Sequence, residues 1–138
     1  MFEDTGLLKA LPEYHRHRTL QSVADTNFSI GIAKYLLKGG VLVNYKRSGS
    51  HNTALRYAAK RDTADAAKFM KFLLLCGANS GNTGKRKIGD QKGAKNISKH
   101  LGMSWDELVA ETAKQREQVL SQKDLSPDEV IEQLASLV

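Results

Sequence analysis

The sequence predicts an all-α chain: a short α-solenoid of about three helix-turn-helix repeats, with an N-terminal leader and a C-terminal helical extension. Three observations predict it. Only two prolines interrupt long stretches rich in Ala, Leu, Lys, Glu and Gln, residues that favour helix. Two segments repeat one another, Thr19 to Asn44 and Thr53 to Asn82, with Leu20 paired to Leu55 at an offset of 35 and Gly40 to Gly77 at an offset of 37. The aromatic content of 7% is poor material for the strands of a sandwich or barrel. A chain of 138 residues is the size of one domain. It divides into a repeat body over 1–109, in units of 15–44, 45–78 and 79–109, and an acidic helical extension over 110–138.

Each unit opens with a short helix rich in small residues, Val23 and Ala24 in the first copy, Ala58 and Ala59 in the second. Small side chains let helices of neighbouring units approach closely. A longer apolar helix follows, around Ile32–Leu37 and Phe69–Leu75, and stops at Gly40 or Gly77, where a residue at positive φ is needed. Neither pair can bury its apolar face alone, so the pairs must stack. The drift of two between the offsets is expected in the turn between the helices of the second copy. Further on, Gly102 ends a helix, and Ser104 with Glu107 forms a capping box for the next, Met103 and Leu108 standing where a hydrophobic staple joins. Trp105 is expected to close the core. A second box lies at Ser126 and Glu129, with Pro127 at the first helical position and Asp128 in the first turn. Its helix places Val130, Ile131, Leu134 and Leu137 on one face. The polar stretch 110–123 offers only Val119 and Leu120 for burial and reads as a solvated helix or a linker.

The string TALRYAA followed by FLLLCGAN resembles the ankyrin repeat, whose pattern runs T-P-L-H-x-A-A and then L-L-x-x-G-A. Thr53, Leu55, Ala58, Ala59, Leu73, Leu74, Gly77 and Ala78 fall on family positions. The first copy matches through Leu20, Ala24, Leu36, Leu37, Gly40 and Asn44. A third, KGAKNISKHLG, resembles the second-helix signature through Gly93, Ile97 and Leu101, and its extension KGAKNISKHLGMSWDELV resembles the closing module of some fungal ankyrin-repeat proteins. The chain departs from the pattern at Ala54, where Pro is usual, and at Arg56, where His is usual. Arg86 and Gly89 stand where a core Leu and an Ala belong. The rival reading is an unrelated helical bundle.

The resemblance implies a ligand surface made of hairpin tips and the outward positions of the first helices, together one concave face. On this chain the second hairpin supplies Tyr45, Lys46, Arg47, Ser48, His51 and Asn52, and its helix adds Arg56, Tyr57 and Lys60, with Arg61 following. The third hairpin supplies Asn79, Asn82, Lys85, Arg86 and Lys87.

Charge points the same way. The net +6 is segregated: residues 1–44 hold 5 bases and 4 acids, residues 45–100 hold 13 and 3, and residues 101–138 hold 3 and 8. A basic middle with two tyrosines fits a protein-interaction module that captures an acidic partner surface or peptide. Nucleic-acid binding is the alternative, since a pI near 9.5 meets its first criterion, but no recognition helix, RNP aromatics or stacking platform accompanies it. A regulatory fragment of a larger enzyme is the second alternative. The acidic extension is expected to fold back on the array or dock on a neighbouring copy, and so to mask a basic or apolar surface.

Catalytic and metal chemistry find little footing. Gly81-Asn82-Thr83-Gly84-Lys85 lacks both the leading Gly of a phosphate loop (Asn79 is there) and the Ser or Thr after its Lys (Arg86 is there). His15 and His17 diverge on either backbone geometry, and His51 and His100 are remote in sequence, so no metal is expected. Cys76 sits in the last turn of a helix, where the dipole raises a thiol pKa. No cofactor and no small-molecule substrate are expected, and the chain reads as a binding protein rather than an enzyme. One cysteine, no secretory signal and no apolar run of ~18 residues point to an intracellular protein of the cytoplasm or nucleus.

Overall fold

A computed structural model describes residues 13–45, 53–79 and 92–138. Among the described residues there are seven α-helices and no strand. They are α1 (Glu13–Ser22), α2 (Ile30–Lys38), α3 (Ala54–Ala59), α4 (Ala64–Leu75), α5 (Lys92–Leu101), α6 (Trp105–Leu120) and α7 (Pro127–Ser136). The leader and both expected hairpin tips fall outside the described residues.

Side-chain caps start the helices of the body. The hydroxyls of Ser29, Thr53 and Thr63 accept hydrogen bonds from the N–H groups of Ile32, Arg56 and Ala66, each three residues on. α1 ends differently, in a π-helical turn over Val23–Asn27 that closes on Phe28 at φ 57. A non-glycine residue there costs about 1–2 kcal/mol. Two contacts offset that cost: the Phe28 N–H donates to the Val23 carbonyl at 2.8 Å, and the Phe28 ring meets the Phe69 ring edge-on at 6.3 Å.

The two long helices close identically. Gly40 and Gly77 both lie at φ 96. Gly40 N–H donates to Leu37 O and Val41 N–H to Leu36 O, while Gly77 N–H donates to Leu74 O and Ala78 N–H to Leu73 O. The length difference between the copies is not in the inter-helix turn, as the alignment suggested. α2 has 9 residues and α4 has 12, so the added length is in the long helix itself. A helix absorbs extra turns without disturbing its caps, and a tight turn cannot.

Alanines let the helices close on one another: Ala24, Ala33, Ala58, Ala66 and Ala67 are all fully buried. Around them lie Leu20, Leu36, Leu55, Phe69, Phe72, Leu73, Ile97 and Leu108, with Trp105 at the edge. The π turn packs on α3, α3 on α4 and α5, and α4 on α5 and α6. The segment 92–101 therefore departs from expectation. Its Ile97 enters the core, but α5 stacks on the short α3 as well as on α4, and α6 is the long helix that lies along α4.

Polar links recur between successive layers. Asn44 gives its amide N–H to Gly77 O at 3.1 Å and accepts from Asn79 N–H at 2.7 Å. Buried Asn96 donates to Ala59 O at 3.1 Å and Arg61 O at 3.0 Å. These bonds satisfy the carbonyls left open where α3 and α4 end.

The C-terminal third follows the sequence reading in its helices and departs from it in which residues are buried. α6 runs unbroken across 109 and 110, so of the two readings of the stretch 110–123, helix or linker, the helix is the one seen as far as Leu120. Thr112 and Val119 are buried and Leu120 is exposed. Both capping boxes form, Ser104 with Glu107 and Ser126 with Glu129. α7 returns to pack on α2, α4 and α6, and its Leu134 joins Leu75 and Val119 in a second, smaller apolar cluster. Glu132 bonds Lys34 at 2.9 Å and also Lys38. Its cations come from α2, in the nearly neutral first third, rather than from the basic middle.

Candidate binding surfaces

Of the residues expected to bind a partner, Tyr45, Arg56, Tyr57 and Lys60 are described; Lys46, Arg47, Ser48, His51, Asn52, Asn82, Lys85, Arg86 and Lys87 lie outside the described residues. The register of α3 decides what faces out. Leu55, Ala58 and Ala59 turn into the core, which leaves Arg56 and Tyr57 half-buried and Lys60 exposed. The Lys60 ammonium stands 5.3 Å from the centroid of the Tyr57 ring. A cation held over a tyrosine face is an arrangement suited to carboxylate capture, with the ring supplying contact area.

Tyr45 is placed differently. Its backbone carbonyl accepts from the Gln21 side chain at 3.2 Å, which ties the segment after α2 to α1. Arg61 turns away from Lys60 and pairs with Asp25 at 2.7 Å. Asp62 binds His100 at 2.7 Å and Lys99 at 3.0 Å, and hydrogen bonds from first His100 and then Lys99 hold its carboxyl below the usual range. Arg61 and Lys99, two of the 13 bases of the middle segment, are thus engaged internally, as is His100.

Sequence reasoning missed a groove. It lies between the segment after α2 and the α6–α7 corner, encloses about 610 Å³, and is walled by Leu37, Leu42, Val43, Leu125, Val130 and Ile131. Leu42 is 58% exposed and Leu120, which also lines the groove, 48%. Among the described residues, Arg116 and Lys123 are its only ionisable residues besides Cys76. A hydrogen bond between the Gln122 and Gln133 side chains, 3.1 Å, braces the corner. The available signal was Leu42 and Val43, two apolar residues directly after a helix stop with no assigned place in the core. Burial pushes the Cys76 thiol up to about 12, with Arg116 pulling weakly the other way.

Among the described residues no group of three or more His, Cys, Asp or Glu side chains is placed to hold a metal ion, and no helix is long and apolar enough to cross a membrane. What the described residues define is an all-helical protein with a cation–tyrosine surface on α3 and an apolar groove at the α6–α7 corner. Comparison with protein-family models, with curated proteins and with solved structures finds no match for this chain.

Proposed function

We propose that this chain is a short ankyrin-type array acting as a protein-interaction module, which takes an acidic partner surface or peptide on the basic face of its first helices. The observation that carries the reading is the Tyr57–Lys60 pair on the outward side of α3, at the centre of the most basic segment. The array reading draws support from the matched helix ends at Gly40 and Gly77 and from the layer-to-layer bonds of Asn44 and Asn96. In such an array Lys46, Arg47 and Lys85 would extend the α3 face along neighbouring hairpins.

The test is a charge reversal of Lys46, Arg47, Lys60 and Lys85 to Glu, read by affinity for an acidic peptide and by thermal melting. Binding is expected to be lost with the fold retained, since exposed substitutions cost within about 0.5 kcal/mol each. Unchanged affinity refutes the reading. The segregated charge also suits nucleic acid, and salt separates the two. Contact with ~6–10 phosphates would cost ~10³–10⁵ in affinity between about 50 and 200 mM salt, far more than a few ion pairs lose.

A further inference from the structure

We infer that the groove at the α6–α7 corner is a second docking surface, built for a short amphipathic segment of another protein that places a carboxylate beside an apolar anchor. Two independent features lead there.

The first is apolar. Leu42 and Leu120, both exposed, line the groove together with Leu125, Val130 and Ile131. Apolar surface is more favourable buried than left in water, so side chains arranged around one concavity favour an apolar guest. A space of about 610 Å³ is in the range that accommodates one or two large side chains.

The second is the charge at the end of the groove. Arg116 projects from α6 across Gly77, its Nη2 3.1 Å from where a Cβ would stand on that glycine. Its guanidinium makes no hydrogen bond or ion pair among the described residues, and its Nε is buried without an acceptor. A half-buried donor left in this state is unfavourable, and a carboxylate accepting from the guanidinium would satisfy it. Lys123 adds a second cation, and among the described residues no carboxylate lines the groove. Arg116 also walls a neighbouring cleft of about 420 Å³ between α4 and α6, shared with Leu120, so a bound segment can continue along α6. An apolar bed with a cationic end complements a helix carrying Leu or Phe and, a residue or a turn away, Asp or Glu. This surface is separate from the α3 face and does not depend on it.

The experiment uses the full ¹⁵N-labelled chain titrated with an acidic amphipathic peptide (Leu and Phe on one face, Glu on the other) and with the same peptide carrying Gln for every Glu. The acidic peptide is expected to shift the resonances of Leu42, Leu120, Leu125 and Ile131 and the side-chain Nε–H of Arg116. The Gln peptide is expected to bind at least about 10-fold more weakly, the factor that one charge-assisted hydrogen bond supplies. Arg116→Gln should remove that discrimination. Leu42→Asp, at an exposed position that cannot disturb the core, should weaken both peptides, while Lys68→Glu, on the exposed side of α4 and away from the groove, should leave the shifts at Leu120, Leu125 and Ile131 unchanged. Equal binding of the two peptides, or shifts confined to α3, overturns the inference. So does a concentration-dependent dimer that Leu42→Asp dissolves, which would assign the groove to a second copy, or preferential binding of dodecanoate, which would assign it to a small amphiphile.

Discussion

Replacing Gly77 by Ala tests how α4 is stopped and how Arg116 is seated. Gly77 lies at φ +96, outside the usual left-handed window, so the backbone term alone costs about 1–2 kcal/mol. The new Cβ would stand 3.1 Å from Arg116 Nη2, 3.2 Å from Nε and 3.3 Å from Cζ. The guanidinium is the far end of a flexible side chain and can give by a few tenths of an ångström, so this contact adds little energy but displaces Arg116. The expected loss is about 1–2 kcal/mol, or roughly 4–8 °C in Tm for a domain of this size. Two glycines serve as controls. Gly102 sits at φ +68 with nothing within 4 Å, so Gly102→Ala should lose the smaller, purely conformational part. Gly31 lies in the first turn of α2 with only Ser29 Oγ nearby at 3.8 Å, and Gly31→Ala should stabilise by up to about 0.5 kcal/mol. Urea unfolding of the three variants gives the order directly. Gly77→Ala as stable as Gly31→Ala, or less damaging than Gly102→Ala, refutes the reasoning.

Three further outcomes follow from the same structure. Leu134→Ala, which empties the cluster with Leu75 and Val119, should release α7: the usual loss of about 2–5 kcal/mol for Leu→Ala is capped by the docking energy, so amide exchange should rise in α7 while the core keeps its protection. Hydrogen bonds from Lys38 and Lys34 hold the Glu132 carboxyl below the ordinary glutamate range, so its contribution is present above that range and is lost as pH falls through its lowered value. Wild-type and Glu132→Gln melts should accordingly differ near neutral pH and converge in acid, and a gap that widens in acid contradicts the sign. The Cys76 thiol, pushed up to about 12 by burial, should resist a disulfide reagent at mild alkaline pH until the chain unfolds, and reaction at the rate of a free thiol in the native state shows the burial to be wrong.

The local grammar of the fold was legible because it is chemical. Ser104, Glu107, Ser126 and Glu129 announce their boxes by residue type and spacing, and Gly40, Gly77 and Gly102 stand at positive φ where a stop was read. Packing partners were not legible to the same degree. Helix α5 carries a pattern that fits either member of a pair, and only contacts with α3 and α4 show where it lies. The route of the charges was hidden for a related reason. Net charge per segment predicts attraction but not pairing, so Glu132 finds Lys34 and Lys38 because Leu134 positions α7 there. On α3 the outward positions of Arg56, Tyr57 and Lys60 follow from helical period once Leu55 is placed inside. The groove escaped notice because its walls come from α2, α6 and α7, segments far apart in sequence.

The central claim, that an acidic partner binds the α3 face, is tested most directly by comparing two charge reversals on different helices. Lys60→Glu combined with Tyr57→Ala alters the cation–tyrosine pair, while Lys68→Glu places the same charge change on the exposed side of α4. Dissociation constants for an acidic peptide would be measured for both variants and for the wild-type chain at about 50 and 200 mM salt, with a short DNA duplex in parallel. The account predicts at least about 10-fold weaker peptide binding for the α3 variant, the loss expected of a removed anchor, with little change for Lys68→Glu. Equal weakening by the two variants would mean that net charge and not a site governs binding, and tighter binding to the duplex with a steep salt dependence would assign the basic segment to nucleic acid; either result contradicts the account.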